Sequence, residues 1–193
     1  MLEYPSILRY TDLMTQCENP IGADNQQERP ILSPNFLAGL IVGEGSYFIG
    51  IRRQRKPYGY YITMYPGFGM RMNDNATIAR VCESFGHYGL DYYNNTVYRG
   101  CVGVTVIGLG QMRKHLDFFL PLLTGKKQQS AQIVSDFTDS RLANTSKRYT
   151  EADVDLLERL REINGPSRAR LPIGILRDYT LRPSAKEPIA APG

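Results

Sequence analysis

The chain has 193 residues, of which 42% are hydrophobic, and a formal net charge of +4. This length suits one domain with short extensions, and the hydrophobic content is sufficient for a buried core. Three widely spaced cysteines argue against a disulfide framework or a structural zinc site. No run approaches the roughly 20 apolar residues of a membrane span, and no secretory signal pattern is present. We therefore expect an intracellular protein (cytoplasmic, or organellar or nuclear in a eukaryote), no membrane association and a polyanionic partner.

Three segments differ in composition. Residues 1–32 indicate an N-terminal extension, because the polar stretch 18–30 lacks apolar periodicity. Residues 33–182 carry regular hydrophobic patterns and predict one folded domain. Residues 183–193 are rich in proline and alanine and predict a flexible tail.

The domain begins with a helix and a hairpin. Ser33 and Pro34 are a helix cap and first helical residue, and the helix is expected to end near Gly43. Residues 46–53 and 60–72 alternate in hydrophobicity, which predicts two strands joined by a turn at 54–59. One face carries apolar side chains and points inward: Tyr47, Ile49, Ile51, Ile62, Met64, Phe68 and Met70.

The second half repeats this order. We expect a helix over 74–85 ended by Gly86, and a hairpin of strands 90–93 and 96–107 turning at Asn94 and Asn95. Helices follow over 110–123, 126–141 and 151–163, the last capped by Thr150. The predicted fold class is α+β, in the order αββαββα with additional C-terminal helices and an antiparallel sheet covered on one face.

The most informative segment is the first helix, with the sequence LAGLIVGEG over residues 37–45. Gly39 and Gly43 are four residues apart, so they form a smooth stripe that permits close approach of a second helix. The helix ends at Glu44, although the C-terminus of a helix carries partial negative charge. A bound cation would relieve this conflict; the simpler alternative is a buried helix followed by an acidic loop.

This nonapeptide closely resembles the signature of the LAGLIDADG homing endonucleases, with Val42 at its sixth position and Glu44 at its eighth. The resemblance continues through residues 46–49 and through Lys126 and Lys127, and it spans about 33–164. It implies the family's fold, with the antiparallel sheet forming a saddle on double-stranded DNA. Because only one signature copy is present, it implies a homodimer in which the signature helices cross at the two-fold axis. The interface residues are then Leu37, Gly39, Leu40 and Gly43.

The resemblance also implies the chemistry. Glu44 would be catalytic and a Mg²⁺ ligand, the Gly43 carbonyl a second ligand, and Lys127 a catalytic-pocket lysine. The reaction would be metal-dependent hydrolysis that makes a staggered cut in a long pseudo-palindromic target and promotes intron mobility. The family often has a polar residue at the end of the second strand, where this chain has Met72. Asn73 or Arg71 are the possible substitutes, and the alternative is a weakened site.

The outward face of both hairpins is the expected DNA-binding surface, because the major groove admits a two-stranded ribbon. Its candidate DNA-binding residues are Ser46, Phe48, Gly50, Arg52, Gln54, Lys56, Thr63, Tyr65, Gly69, Arg71, Arg99 and Thr105. Two alternatives use the same fold: an RNA-binding maturase that assists intron splicing, and a DNA-binding protein that no longer cleaves.

Overall fold

A computed structural model describes residues 30–56, 59–98, 101–144, 149–165 and 172–181; of residues 54–56, 59–61, 94–98 and 179–181 only the backbone is described. The elements in chain order are α1 (Pro34–Glu44), β1 (Gly45–Lys56), β2 (Gly59–Met72), α2 (Asn75–His87), β3 (Tyr93–Tyr98), β4 (Cys101–Ile107), α3 (Leu109–Phe119), α4 (Gly125–Ala143), α5 (Glu151–Asn164) and α6 (Ile173–Leu181). The predicted α+β class and αββαββα order are confirmed. The predicted extension and tail (1–32 and 183–193) lie almost entirely outside the described residues, so the domain boundaries stay a prediction.

The four described strands form one antiparallel sheet in the order β1-β2-β4-β3. Tyr47 pairs with Phe68, and Phe68 pairs with Val106, so buried side chains of three strands line up across one face. Helices pack on that face, and all three of these side chains are fully buried. The predicted inward parity of the first hairpin is therefore confirmed, and its other face is left open.

The termini of the helices follow the capping rules. Ser33 accepts a hydrogen bond from the Phe36 amide at 3.3 Å, as predicted for the start of α1. Helix α2 continues through Gly86, contrary to the prediction, and ends one residue later, at His87. Gly89 has φ +68°, and the Leu90 amide donates to the Phe85 carbonyl at 2.8 Å, which is a Schellman ending.

Three other expectations about elements were wrong. Asn94 and Asn95 lie within β3 and pair with Val104 and Gly103 instead of forming the turn. The predicted third helix ends at Phe119 and continues as a 3-10 turn over Leu120–Leu122, because Pro121 has no amide hydrogen to donate. Helix α6 was not predicted.

Two contacts tie the chain before α1 to the domain. The amide of buried Leu32 donates to Ser84 Oγ at 3.0 Å, and Tyr88 Oη donates to the Leu32 carbonyl at 3.0 Å. At the other end, α5 begins with a complete capping box between Thr150 and Asp153, as predicted. None of the described helices is long and apolar enough to cross a membrane.

Candidate nucleic-acid interface and metal centre

The position of Glu44 is fixed by the sharp change from α1 to β1. Glu44 is the last residue of the helix and is exposed. Gly45 begins the strand and is buried; a Cβ there would lie 2.7 Å from the Ile41 carbonyl oxygen and 2.8 Å from Phe68 Cε2. Only glycine fits this approach, so the glycine after the acid is required by packing inside the chain.

The Glu44 side chain opens onto a groove on the uncovered face of the sheet, with a volume of about 460 Å³. Six of the predicted DNA-facing residues line the same groove: Ser46, Phe48, Tyr65, Gly69, Arg71 and Thr105. Met70 and Ile107 complete the lining, and neither was among the candidates. The structure thus joins the acidic end of α1 to the outward face of three strands in one concave surface.

Two bulky side chains that line this groove lie across glycines of the neighbouring strand. A Cβ on Gly67 would lie 2.4 Å from Phe48 Cζ, and one on Gly50 would lie 2.3 Å from Tyr65 Cζ. The Phe48 and Tyr65 rings meet edge to face, with centroids 6.3 Å apart. The two glycines therefore leave the space that these rings occupy on the open face of the sheet.

Lys127 of α4 reaches the backbone next to Glu44. It lies in the first turn of α4, is half-buried, and its ammonium donates to the backbone carbonyl of Gly45. Lys126 is exposed. The bond to Gly45 fixes one of the three Lys127 N–H groups next to Glu44. The positive charge of Lys127 is therefore held close to the candidate metal site.

Arg71 is the polar residue that the structure brings to the groove from the end of β2. Met72 has the inward parity and packs against the core, so it does not occupy the groove. Asn73 accepts a hydrogen bond from Cys101 Sγ. Among the three positions left open by the sequence, Arg71 alone lines the groove with Glu44.

The donor atoms at the end of α1 fit a hard divalent cation. The last carbonyls of a helix have no intrahelical donor, so the Gly43 carbonyl is a suitable oxygen ligand beside the Glu44 carboxylate. Within the described ranges, no group of three or more His, Cys, Asp or Glu side chains forms a cluster. One chain therefore supplies a partial oxygen ligand set to which a second copy could add a carboxylate.

An apolar stripe on α1 is left uncovered by the other residues that the structure describes. Phe36 is 54% exposed and Val42 37% exposed, and Cβ atoms built on Gly39 or Gly43 meet no atom within 4 Å. Leu40, also predicted for the interface, is half-buried. Leu37 is different: only 1% is exposed, because it lies on the core side of the helix, so its assignment to the interface needs correction.

The remaining DNA-binding candidates lie along the first hairpin, except for Arg99. Arg52 is exposed, with its guanidinium carbon 5.9 Å from the centroid of the Tyr65 ring, and Thr63 Oγ1 donates to the Arg52 carbonyl at 3.4 Å. Gly50 lies beneath Tyr65, as described above. The side chains of Gln54 and Lys56, and the whole of Arg99, lie outside the described residues.

Two features near the site were missed at the sequence level. Asn164, at the end of α5, donates to the Tyr47 carbonyl at 2.9 Å and accepts from Ser130 Oγ at 3.0 Å. The ring of His115 is fully buried, and its Nε2 lies 3.2 Å from Tyr47 Oη. Burial lowers the pKa of His115 to about 3. Neither residue belongs to a local motif, so only the tertiary contacts could identify them.

Comparison with solved structures defines the class of fold. The homing endonuclease I-CvuI, in complex with its target in the presence of 2 mM Ca, is similar with a TM-score of 0.61 and 16% identity over 75% of this chain and 90% of that chain. The archaeal intron-encoded homing endonuclease I-Vdi141I, complexed with DNA, is similar with a TM-score of 0.60 and 15% identity, over 75% of this chain and 92% of that chain. The LAGLIDADG homing endonuclease I-GzeII is similar with a TM-score of 0.51 and 16% identity, over 84% of this chain and 54% of that chain.

No family model matches the sequence, and no curated protein matches it significantly. At these identities the likeness establishes the fold alone. The chain has the LAGLIDADG homing endonuclease fold, as the signature in α1 predicted.

Proposed function

We propose that this chain is a site-specific double-strand DNA endonuclease that acts as a homodimer and requires a divalent cation such as Mg²⁺. One observation carries the proposal: the groove joins Glu44 to six outward-facing residues of the sheet that strand parity independently predicts to face DNA. Support for DNA as the partner comes from the DNA complexes of I-CvuI and I-Vdi141I. The net charge of +4 agrees with a polyanionic substrate.

The homodimer is supported by the unexplained glycines of α1. Glycine in a helix interior costs about 1 kcal/mol relative to alanine, and no contact among the described residues requires Gly39 or Gly43. A second helix on this stripe would explain both. The alignment also covers most of this chain but about half of I-GzeII, which is expected if one signature copy forms half of a two-copy chain.

Within such a dimer, each residue has a defined task. Glu44 and the Gly43 carbonyl would hold the cation, and Lys127, beside Gly45, would offset negative charge on the reacting phosphate. A bound divalent cation supplies an activated water and stabilises charge in phosphodiester hydrolysis. The two symmetric sites would each cut one strand of a long pseudo-palindromic target, which gives a staggered product and promotes mobility of an intron that carries the gene.

The test is a comparison of Glu44→Gln with Glu83→Gln, an exposed carboxylate on α2. Purified protein is incubated with Mg²⁺ and the uninterrupted host locus, or with a random-sequence DNA library, and cleavage and binding are measured together. Glu44→Gln should abolish cleavage while DNA affinity stays within about tenfold, because Glu44 holds metal and not bases. Glu83→Gln should leave both unchanged.

The outcomes distinguish the alternatives. Full cleavage by Glu44→Gln would refute the metal assignment. Sequence-specific DNA binding without cleavage by the unchanged chain would indicate a DNA-binding protein that no longer cleaves, and preferential binding of intron RNA would indicate a maturase. No contact among the described residues favours either alternative. The one observation in their favour is that Met72 stands where the family often has a polar residue.

A further inference from the structure

We propose that the groove recognises the C5-methyl group of a pyrimidine base in each half-site, with Phe48 as the specificity-determining side chain. This inference rests on the proposed function, because it assumes that DNA lies in the groove. It goes further by naming a chemical feature of the target, namely thymine at one position of each half-site.

The structural basis is a small apolar patch, formed by Phe48, Ile107 and the backbone of Gly67. A Cβ on Gly67 would lie 2.4 Å from Phe48 Cζ and 3.2 Å from Ile107 Cγ2, so both side chains converge over this glycine. Both line the groove and both are partly exposed. Register brings them together, because Gly67 pairs with Phe48 on one side and with Ile107 on the other.

The patch can accept only one kind of group from a base edge. Neither side chain has a donor or an acceptor, so a polar base atom placed on the patch loses its water without gaining a hydrogen bond. The thymine methyl is the apolar group that the natural bases present in the major groove. Polar partners for other base pairs are available elsewhere in the groove, on Ser46, Arg71 and Thr105.

The position of the methyl along the DNA follows from the strand geometry. Phe48 is three residues beyond Gly45 on β1, which is about 10 Å at the rise of an extended strand. That distance corresponds to about three base pairs of DNA. The recognised thymine should therefore lie about three base pairs from the phosphate that faces Glu44, on either strand.

The experiment changes single atoms of the DNA. Target sites are selected from a random-sequence library with the unchanged protein, and each thymine of the selected site is then replaced by deoxyuridine, which lacks only the methyl. Replacement at the position of the recognised thymine in a single half-site should weaken binding about fourfold, the value expected for one buried carbon group. At that position, 5-methylcytosine should bind more tightly than cytosine, which separates recognition of the methyl from recognition of thymine as a whole.

Protein variants assign the effect to the patch. Phe48→Ala should abolish the difference between thymine and deoxyuridine, and Gly67→Ala should reduce it because the new Cβ displaces the Phe48 ring. Gly86→Ala is the control: this glycine lies on α2, outside the groove, and its Cβ would meet no described atom within 4 Å, so the ring stays in place and the difference should persist.

Several results would overturn the inference. These are a selected half-site without thymine near the stated distance, the same affinity for deoxyuridine at every position, equal binding of cytosine and 5-methylcytosine, or an unchanged difference in Phe48→Ala. If the protein still cuts its site normally, the proposed function survives and only the methyl recognition fails. If the protein binds no DNA, both fail together.

Discussion

The substitution Gly39→Ala in α1 should strengthen the folded subunit and weaken the dimer. Within the described part of the chain, the added Cβ meets no atom within 4 Å, and Gly39 lies inside a regular helix. Alanine is favoured over glycine in a helix interior by about 1 kcal/mol. The free energy of unfolding of the isolated subunit should therefore rise by up to that amount.

The same methyl has the opposite effect where two helices meet closely. In an isologous interface it appears twice, once on each helix. Forcing extra carbon into a closely packed contact costs about 1–3 kcal/mol. The dimer dissociation constant should therefore rise by roughly 5- to 150-fold.

Two measurements separate these effects. Sedimentation equilibrium over a range of protein concentrations should give about twice 21.8 kDa for the unchanged chain at micromolar concentration, and a lower average mass for Gly39→Ala. Urea unfolding is measured at concentrations where the protein is monomeric, because dimerisation itself adds stability. Gly86→Ala is the control: this glycine is also helical, exposed and free of neighbours within 4 Å, but it lies on α2.

Gly86→Ala should raise the stability by a similar amount and leave association unchanged. If Gly39→Ala behaves in the same way as Gly86→Ala in both measurements, the glycine stripe is not the dimer interface. A chain that remains monomeric on its DNA site would refute the symmetric arrangement altogether.

Three further predictions test the site and the core. Lys127→Met should slow single-turnover cleavage by roughly 100-fold, whereas the exposed Lys126→Met should affect mainly the salt dependence of binding; equal effects would show that Lys127 is only a surface charge. Arg71→Ala should cost about 1–3 kcal/mol at the preferred base and relax one position per half-site in a profile of all single-base variants; an unchanged profile would indicate a phosphate contact. Because burial lowers the pKa of His115 from 6.5 to about 3, the unfolded chain binds more protons between these values, so the free energy of unfolding should fall as pH drops from 6.5 towards 3. His115→Gln should flatten that slope in urea titrations, and an unaltered slope would contradict the assignment.

The first hairpin could be predicted from the sequence because its information is local. Alternation with a period of two assigns each side chain to a face, and Tyr47 and Phe68 are fully buried as the pattern requires. The second hairpin was misplaced because Asn94 and Asn95 favour turns by themselves, while the cross-strand pairing with β4 keeps them in β3. Pairing between distant residues outweighed local propensity there.

The candidate site also has one part that the sequence predicts and another that depends on contacts between distant residues. Glu44 and its flanking glycines form one continuous motif, so the sequence alone identified them. The packing of Phe48 and Tyr65 across glycines could not be predicted, because it depends on the register that places Phe48 opposite Gly67 and Tyr65 opposite Gly50. Leu37 was misassigned for a related reason: both faces of α1 are apolar, so the pattern does not show which face meets the core.

The contacts of Asn164 explain why the C-terminal helices belong to the site. Among the described strands β1 is an edge of the sheet, so one row of its backbone groups has no partner in that sheet. Near Glu44 that edge is covered by side chains from two helices: Lys127 of α4 donates to the Gly45 carbonyl, and Asn164 of α5 donates to the Tyr47 carbonyl. Carbonyls two residues apart point the same way along a strand, so both bonds hold the same edge. The strand that follows Glu44 is therefore fixed from both edges, by β2 on one side and by these two donors on the other, and the acid is positioned before any ligand binds.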